Sequence, residues 1–302
     1  MPLLTPKSSP IELLSPQLLA QLERMELVSR KIFRGRMKGE RKSKRKGQSV
    51  EFSDFRNYVA GDDLRFIDWN LYARLDKLFL KMFLEEEDLH FYALIDASSS
   101  MDFGDPTKLN YAKQLAASLG FIGLCRADRV KIECLGASRR NPGPVLRGRK
   151  SLWRMLEYLD TIQPGQNVPL ATGVKDFCLR TGAGKGILVL ITDLMDKEGY
   201  EHALRILLAQ SMDVYVIHVL SREELEPDVK GDLKLIDVED QNIAEITVSR
   251  PLLEKYKRTL AAFLDGAREF CTRRGMSYLM TCTDTPVETL VGNYLRKRGL
   301  VR

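Results

Sequence analysis

Apolar residues recur along this chain in two rhythms, and the alternation between them predicts its architecture. Phe91-Tyr92-Ala93-Leu94-Ile95 and Ile187-Leu188-Val189-Leu190-Ile191 are apolar at every position, and Val214–Leu220 follows the same pattern apart from His218. A strand with one wet face alternates between apolar and polar residues. Unbroken runs of this length therefore suit strands buried on both faces, as in a parallel sheet. Val130–Leu135 and Met276–Cys282 read as further strands. Between these runs the spacing turns helical. Leu109, Ala112, Leu115, Ala116, Leu119 and Ile122 predict a helix that begins near Thr107. Other helices are predicted through Leu152–Leu159, from about Pro169 to Arg180, over Tyr200–Gln210 and Pro251–Arg274, and at Pro286–Arg298. Strands alternating with helices in this way predict an α/β fold, a doubly wound, mainly parallel sheet flanked by helices. Leu233–Val238 and Ala244–Val248 read as a small antiparallel hairpin outside that series.

The first 88 residues do not share the pattern. Residues 1–14 are rich in Pro and Ser and are expected to be poorly ordered. Leu18, Leu19, Leu22, Met25, Leu27 and Ile32 predict a helix from Pro16 to about Phe33, with Ser15 as its N-cap. Extended segments follow around Val50–Phe52 and Phe55–Val59, closed by the turn Gly61-Asp62-Asp63, before the apolar run Leu78–Phe83. The domain reading is accordingly an N-terminal helical and extended segment over 15–88, then one α/β domain over 89–298.

Charge modifies this picture in one place. The net charge is +6, but ten Lys and Arg against the single acid Glu40 fall between Arg30 and Lys46, leaving 37 basic and 40 acidic residues elsewhere. The basic character is thus one local arm. It reads as a solvated segment or as a contact for an acidic protein, lipid or nucleic-acid surface. Only Phe33 is interleaved within it, so base stacking gains little support. No apolar run approaches the roughly 20 residues of a membrane span. The N-terminus lacks the basic start and apolar stretch of a secretory signal. Five scattered cysteines without metal-pair spacing read as reduced core residues of a cytoplasmic protein.

Two of the buried strands end in acidic loops. Ile95 runs into Asp96-Ala97-Ser98-Ser99-Ser100, and Ile191 into Thr192-Asp193. In open α/β sheets ligands sit beyond the carboxyl ends of the strands. A turn after Ile95 can aim the Asp96 carboxylate and the Ser98 and Ser100 hydroxyls at one point, with Asp193 arriving from the neighbouring loop. Oxygen ligands without His or Cys suit a hard ion such as Mg²⁺. The plainer reading is that Asp96 and the serines only cap the next helix or organise the turn.

These residues carry a resemblance. Asp96-Ala97-Ser98-Ser99-Ser100 with Asp193 resembles the metal-ion-dependent adhesion site of von Willebrand factor A domains. The stretch Glu51-Phe52-Ser53-Asp54-Phe55-Arg56, Gly61-Asp62-Asp63-Leu64-Arg65, Ile67-Asp68-Trp69 and Ala73-Arg74 resembles the bacterial "domain of unknown function 58" family, over roughly residues 28–297. The resemblance implies an A-domain fold, a bacterial cytoplasmic protein, an Mg²⁺ site completed by a partner's acidic side chain, and a working relationship with a MoxR-type AAA+ ATPase. It also implies a threonine ligand from a Gly-Gly-Thr-Asp-Leu loop. The matching stretch here is Gly165-Gln166-Asn167-Val168-Pro169-Leu170, where Val168 cannot ligate and Asn167 could through its amide oxygen.

Asp62, Asp63, Arg65 and Asp68 read as an ion-pair network that pins the N-terminal segment, with Trp69 anchored in an apolar cleft, or alternatively as a partner contact. Enzyme chemistry finds little support. Ser98 replaces the second carboxylate of an Asp-x-Asp phosphotransferase loop, and Gly182–Gly186 precedes its strand and lacks the phosphate-loop spacing. None of His90, His202 and His218 is placed to serve a Gly-x-Ser-x-Gly nucleophile, a motif the chain does not contain. The expectation is a non-enzymatic interaction module. Binding of anionic surfaces by residues 30–46, or a metal-independent scaffold, are the alternatives.

Overall fold

A computed structural model describes residues 13–29, 51–84, 89–135, 142–165, 168–181, 186–229, 231–236 and 243–302. The chain divides into two compact units, Met1–Arg36 with Leu89–Arg302, and Met37–Asp88.

In the larger unit the chain runs through α1 (Pro16–Leu22), β3 (His90–Asp96), α3 (Lys108–Cys125), β4 (Arg129–Leu135), β5 (Val145–Arg147), α4 (Leu152–Thr161) and α5 (Leu170–Thr181). It continues as β6 (Gly186–Thr192), α6 (Glu201–Leu208), β7 (Met212–Leu220), α7 (Arg222–Leu225), β8 (Gly231–Ile236), β9 (Ile243–Val248), α8 (Arg250–Arg273), β10 (Ser277–Cys282) and α9 (Val287–Thr289). A π-helical turn over Leu290–Leu295 follows. The six-stranded sheet has the order β10-β7-β6-β3-β4-β5. All its pairings are parallel except that of β5, which adds antiparallel to the edge. Counting sheet strands in chain order gives 3-2-1-4-5-6, a doubly wound order. The expected hairpin forms as β8 and β9, with Leu233 opposite Ile246.

Period-two geometry sends alternate β3 residues to opposite faces. Phe91, Ala93 and Ile95 join Leu115, Ala116 and Leu119 of α3 in one core, together with Leu18, Leu22, Val291 and Leu295. Tyr92 and Leu94 join Leu188 and Leu190 in the other, against Phe177 of α5, Leu204 and Leu207 of α6 and Ala267 of α8. Both faces are covered, which is why these strands carry no polar alternation. Helix α3 is buried almost all round because α1 and α4 cover the side turned away from the sheet.

Helix α1 starts as expected, with Ser15 Oγ accepting from the Leu18 N–H at 3.1 Å. It ends at Leu22, well short of Phe33. The apolar spacing continues because Leu27 forms an antiparallel bridge with Val301 and enters the same core in extended form. Helical periodicity and a buried bridge place apolar residues alike, and tertiary contact decides between them. Helix α1 therefore packs within the larger unit. All five cysteines are free; Cys271 is buried in the core, and Cys125, Cys134 and Cys178 pack against the core partly buried.

The smaller unit holds β1 (Glu51–Asn57), α2 (Trp69–Leu75) and β2 (Phe79–Leu84), with β1 and β2 paired antiparallel.

Gly186, where β6 begins, permits a close approach to β3. A Cβ there would stand 2.1 Å from the His90 carbonyl oxygen. Gly186→Ala is expected to destabilise the protein by about 1–3 kcal/mol, measured by denaturant unfolding. An unchanged midpoint would mean that β3 and β6 do not meet as described.

Candidate functional site

Strands β4 and β6 lie on opposite sides of β3, so the chain changes winding direction between β3 and β6. The carboxyl ends of these two strands form the crevice where such folds bind ligands. Ile95 stands opposite Ile191, so Asp96 and Thr192 leave the sheet side by side.

The first loop closes on itself. Asp96 Oδ1 accepts from the Ser98 N–H at 2.9 Å, and the Ser98 and Ser100 hydroxyls lie 3.0 Å apart. Asp96 Oδ2 accepts from the Thr192 hydroxyl at 2.6 Å. Asp96 keeps some surface open at the loop mouth although its carboxylate is packed among protein atoms. That burial, and next the charge of Asp193, push its pKa up, while Thr192 and Ser98 hydrogen bonds pull it back.

The second loop turns sharply. Leu194 sits in the left-handed region at φ 56°, uncommon for a leucine. Two bonds hold the turn: Leu194 N–H donates to Thr192 Oγ1 at 2.9 Å, and Met195 N–H to Asp193 Oδ1 at 3.0 Å. A third loop reaches the same edge. Ser99 Oγ donates to the Gly165 carbonyl at 3.1 Å, and Gly165 N–H donates to the Ala97 carbonyl at 2.6 Å. Downstream, the Leu170 N–H donates to the Asp196 carboxylate. Asn167 lies outside the described residues; the chain before it is held against the Asp96 loop.

Asp193 does not stand free beside Asp96. It is buried, and its Oδ2 receives the Lys108 ammonium at 2.7 Å. The same ammonium reaches Glu224 Oε1 at 2.6 Å. Burial lowers the Lys108 pKa, but Asp193 and then Glu224 more than offset this, so the group stays charged. Sequence reasoning missed Lys108, Glu224 and the part played by Thr192. Two signals were available: a lysine in the first turn of the helix after the Asp-x-Ser-x-Ser loop, and the capping-box spacing Ser221-x-x-Glu224 just past a buried strand.

The remaining named residues lie elsewhere. In the smaller unit Arg56 pairs with Asp62 at 2.7 Å, Arg65 with Asp63 at 2.6 Å and Lys81 with Asp68 at 3.1 Å. Asp68 also caps α2 through the Asn70 and Leu71 N–H groups. Each of these pairs is local in sequence or to the β1–β2 pairing. Trp69 corrects the expectation of an apolar anchor: it is 61% exposed, with an edge-on contact to Tyr72. The Asp68 cap and the Lys81 pair hold the turn without it. His218 is buried and bonded to the Tyr278 hydroxyl at 2.8 Å, and burial lowers its pKa to about 4.

A family model described as "Protein of unknown function DUF58" matches residues 54–263. The chain belongs to the DUF58 family. Uncharacterized proteins of Mycobacterium tuberculosis (Rv1480) and Mycobacterium bovis (Mb1516) are each 27% identical to it over 253 residues, covering 82% of this chain and 79% of theirs. Among solved structures, the conserved hypothetical protein BatB from Bacteroides thetaiotaomicron is similar at 13% identity and a TM-score of 0.42, covering 69% of this DUF58 chain and 98% of its own. The SpRpn10 VWA domain is similar at 11% identity and a TM-score of 0.37, covering 68% and 94%. Among the described residues no helix is long and apolar enough to cross a membrane. Nor does any group of three or more His, Cys, Asp or Glu among them have the placement of a metal cluster. Among the described residues, a hard ion at the Asp96 loop would meet one carboxylate with hydroxyl oxygens.

The hydroxyl spacing fits such an ion. The Ser98 and Ser100 hydroxyls share a hydrogen bond at 3.0 Å, a separation that adjacent oxygens of an octahedron with Mg–O of about 2.1 Å also have.

The raised Asp96 pKa has a stability consequence. Above the ordinary carboxylate range the folded state retains a proton the unfolded chain has lost, so stability falls as pH rises through that window. Without metal, the wild type is therefore expected to lose more melting temperature than Asp96→Asn as pH rises from the acid range to neutral, because only the wild type has an Asp96 proton to give up there. Calorimetric melting across pH checks this; parallel pH profiles for the two proteins refute it.

Proposed function

We propose that this chain is a non-enzymatic protein-interaction module in which the Asp96 loop holds Mg²⁺ and presents it to a partner's acidic side chain. The observation that carries this reading is the meeting of Asp96, Ser98 and Ser100 at the switch point, with the two hydroxyls at the spacing of neighbouring ligands around one hard ion. When bound, the ion supplies a Lewis-acidic coordination position for a carboxylate oxygen of the partner. The protein's own residues orient and exclude. Thr192 fixes Asp96 Oδ2, the Ser98 N–H fixes Oδ1, and Ser99 ties the loop to Gly165. Asn167 is proposed as a further oxygen donor and Asp193 as an outer support.

A MoxR-type AAA+ ATPase is the proposed partner, in keeping with the family. In that pairing this protein recruits or presents a client in the cytoplasm while the ATPase supplies the energy. The β8–β9 hairpin and the stretch 137–150, which includes β5, are the proposed specificity elements. Trp69, Tyr72 and Leu75 leave an apolar face exposed on α2 that suits a second contact, beside Asp62, Asp63 and Arg65.

Titration calorimetry tests the ion. Mg²⁺ is expected to give saturable heat with the wild type and none with Asp96→Ala. Binding to the ATPase is then expected to be abolished by chelator and by Asp96→Ala, and to change little with salt. Absence of Mg²⁺ heat, or binding indifferent to chelator but falling steeply with salt, would overturn the reading in favour of a metal-independent scaffold or of anionic contact through residues 30–46.

A further inference from the structure

The loop centre carries a fixed cation of its own. Lys108 opens α3, and its side chain is only 1% exposed. Its ammonium lies between Asp193 at 2.7 Å and Glu224 at 2.6 Å. Each acid is held by a second bond. Asp193 Oδ1 accepts from the Met195 N–H, and Glu224 Oε2 accepts from the Ser221 N–H at 2.7 Å in the capping box that starts α7. All four carboxylate oxygens are thereby engaged. The Glu224 carbonyl in turn accepts from the Tyr256 hydroxyl of α8 at 2.8 Å.

We propose that Lys108 is the positioning residue of the loop site: by bridging Asp193 and Glu224, its ammonium withholds Asp193 from the ion and leaves Asp96 as the carboxylate that meets it. The proposal rests on the divalent-ion reading above. Its physical basis is charge matching in a poorly solvated place, where unbalanced charge is costly. Asp96, Asp193 and Glu224 with Lys108 sum to two negative charges, which one divalent cation balances. Without the ammonium the same place would hold three negative charges, and the Asp193 Oδ2 now bonded to Lys108 would be released. Lys108 thus keeps the ion on the Asp96 loop and ties the Asp193 loop to α7.

Mg²⁺ calorimetry on the full chain tests this with two variants. Lys108→Met is expected to bind Mg²⁺ at least about tenfold more tightly than the wild type, and Mg²⁺ is expected to raise its melting temperature further. Lys108→Met combined with Glu224→Gln removes one charge of each sign, so its net charge equals that of the wild type and its buried acids are fewer. It is expected to keep the tighter binding and to lose it again on Asp193→Asn. Were Lys108 merely structural, both variants would lose stability with an unchanged Mg²⁺ affinity, and that result would overturn the proposal while sparing the ion reading. Absence of Mg²⁺ heat in the wild type and in variants that circular dichroism shows to be folded would overturn both. Heat in the variants but not in the wild type would overturn the ion reading for the native chain and, with it, the proposal.

Discussion

The ammonium of Lys108 answers a problem that the fold creates for itself. Strands β3, β6 and β7 are buried on both faces, and each delivers acids or the acceptors around them to one edge of the sheet: Asp96, Asp193 and, one turn later, Glu224. Buried carboxylates in proximity repel one another, and removing each from water costs several kcal/mol. One lysine in the first turn of α3, seated between two of the acids, makes the arrangement tolerable. Breaking such a pair leaves an uncompensated charge, so the positions of α3, the β6 loop and α7 depend on it together.

Asp96 remains outside that pairing, and its surroundings differ in kind. Neutral donors approach it, the Thr192 hydroxyl and the Ser98 N–H, while a part of it stays open to solvent. An acid held in this way is less stable as an anion than it would be in water. The strained turn at Leu194 and the Thr192 bond keep the two loops in register. Stability surrendered at such a point is commonly recovered as binding.

The smaller unit follows a different economy. Arg56 with Asp62, Arg65 with Asp63 and Lys81 with Asp68 are short-range pairs in a turn, each at least partly in water and each of modest worth. They shape the Gly61–Trp69 segment, which leaves Trp69 and its neighbours on the surface. A tryptophan next to a tight acidic turn suggests an anchor when read in sequence. The cap and ion pair at Asp68 supply the anchoring instead.

By itself the sequence determined the sheet, its parallel sense and the place where polar loops meet. Unbroken apolar runs such as Phe91–Ile95 can be buried only between two helical layers, and the acid after each run marks where the strand emerges. It determined Asp96, Ser98 and Ser100 as one loop, because alternate residues of a turn converge locally. Tertiary structure alone decided what Asp193 does. Lys108 and Glu224 are 85 and 31 residues distant from it in the chain, counting from position 193, and no local pattern couples them. It also decided that α1 stops at Leu22 and that Trp69 is exposed, since helical spacing and aromatic character record that a residue prefers burial and not which surface, if any, arrives to bury it.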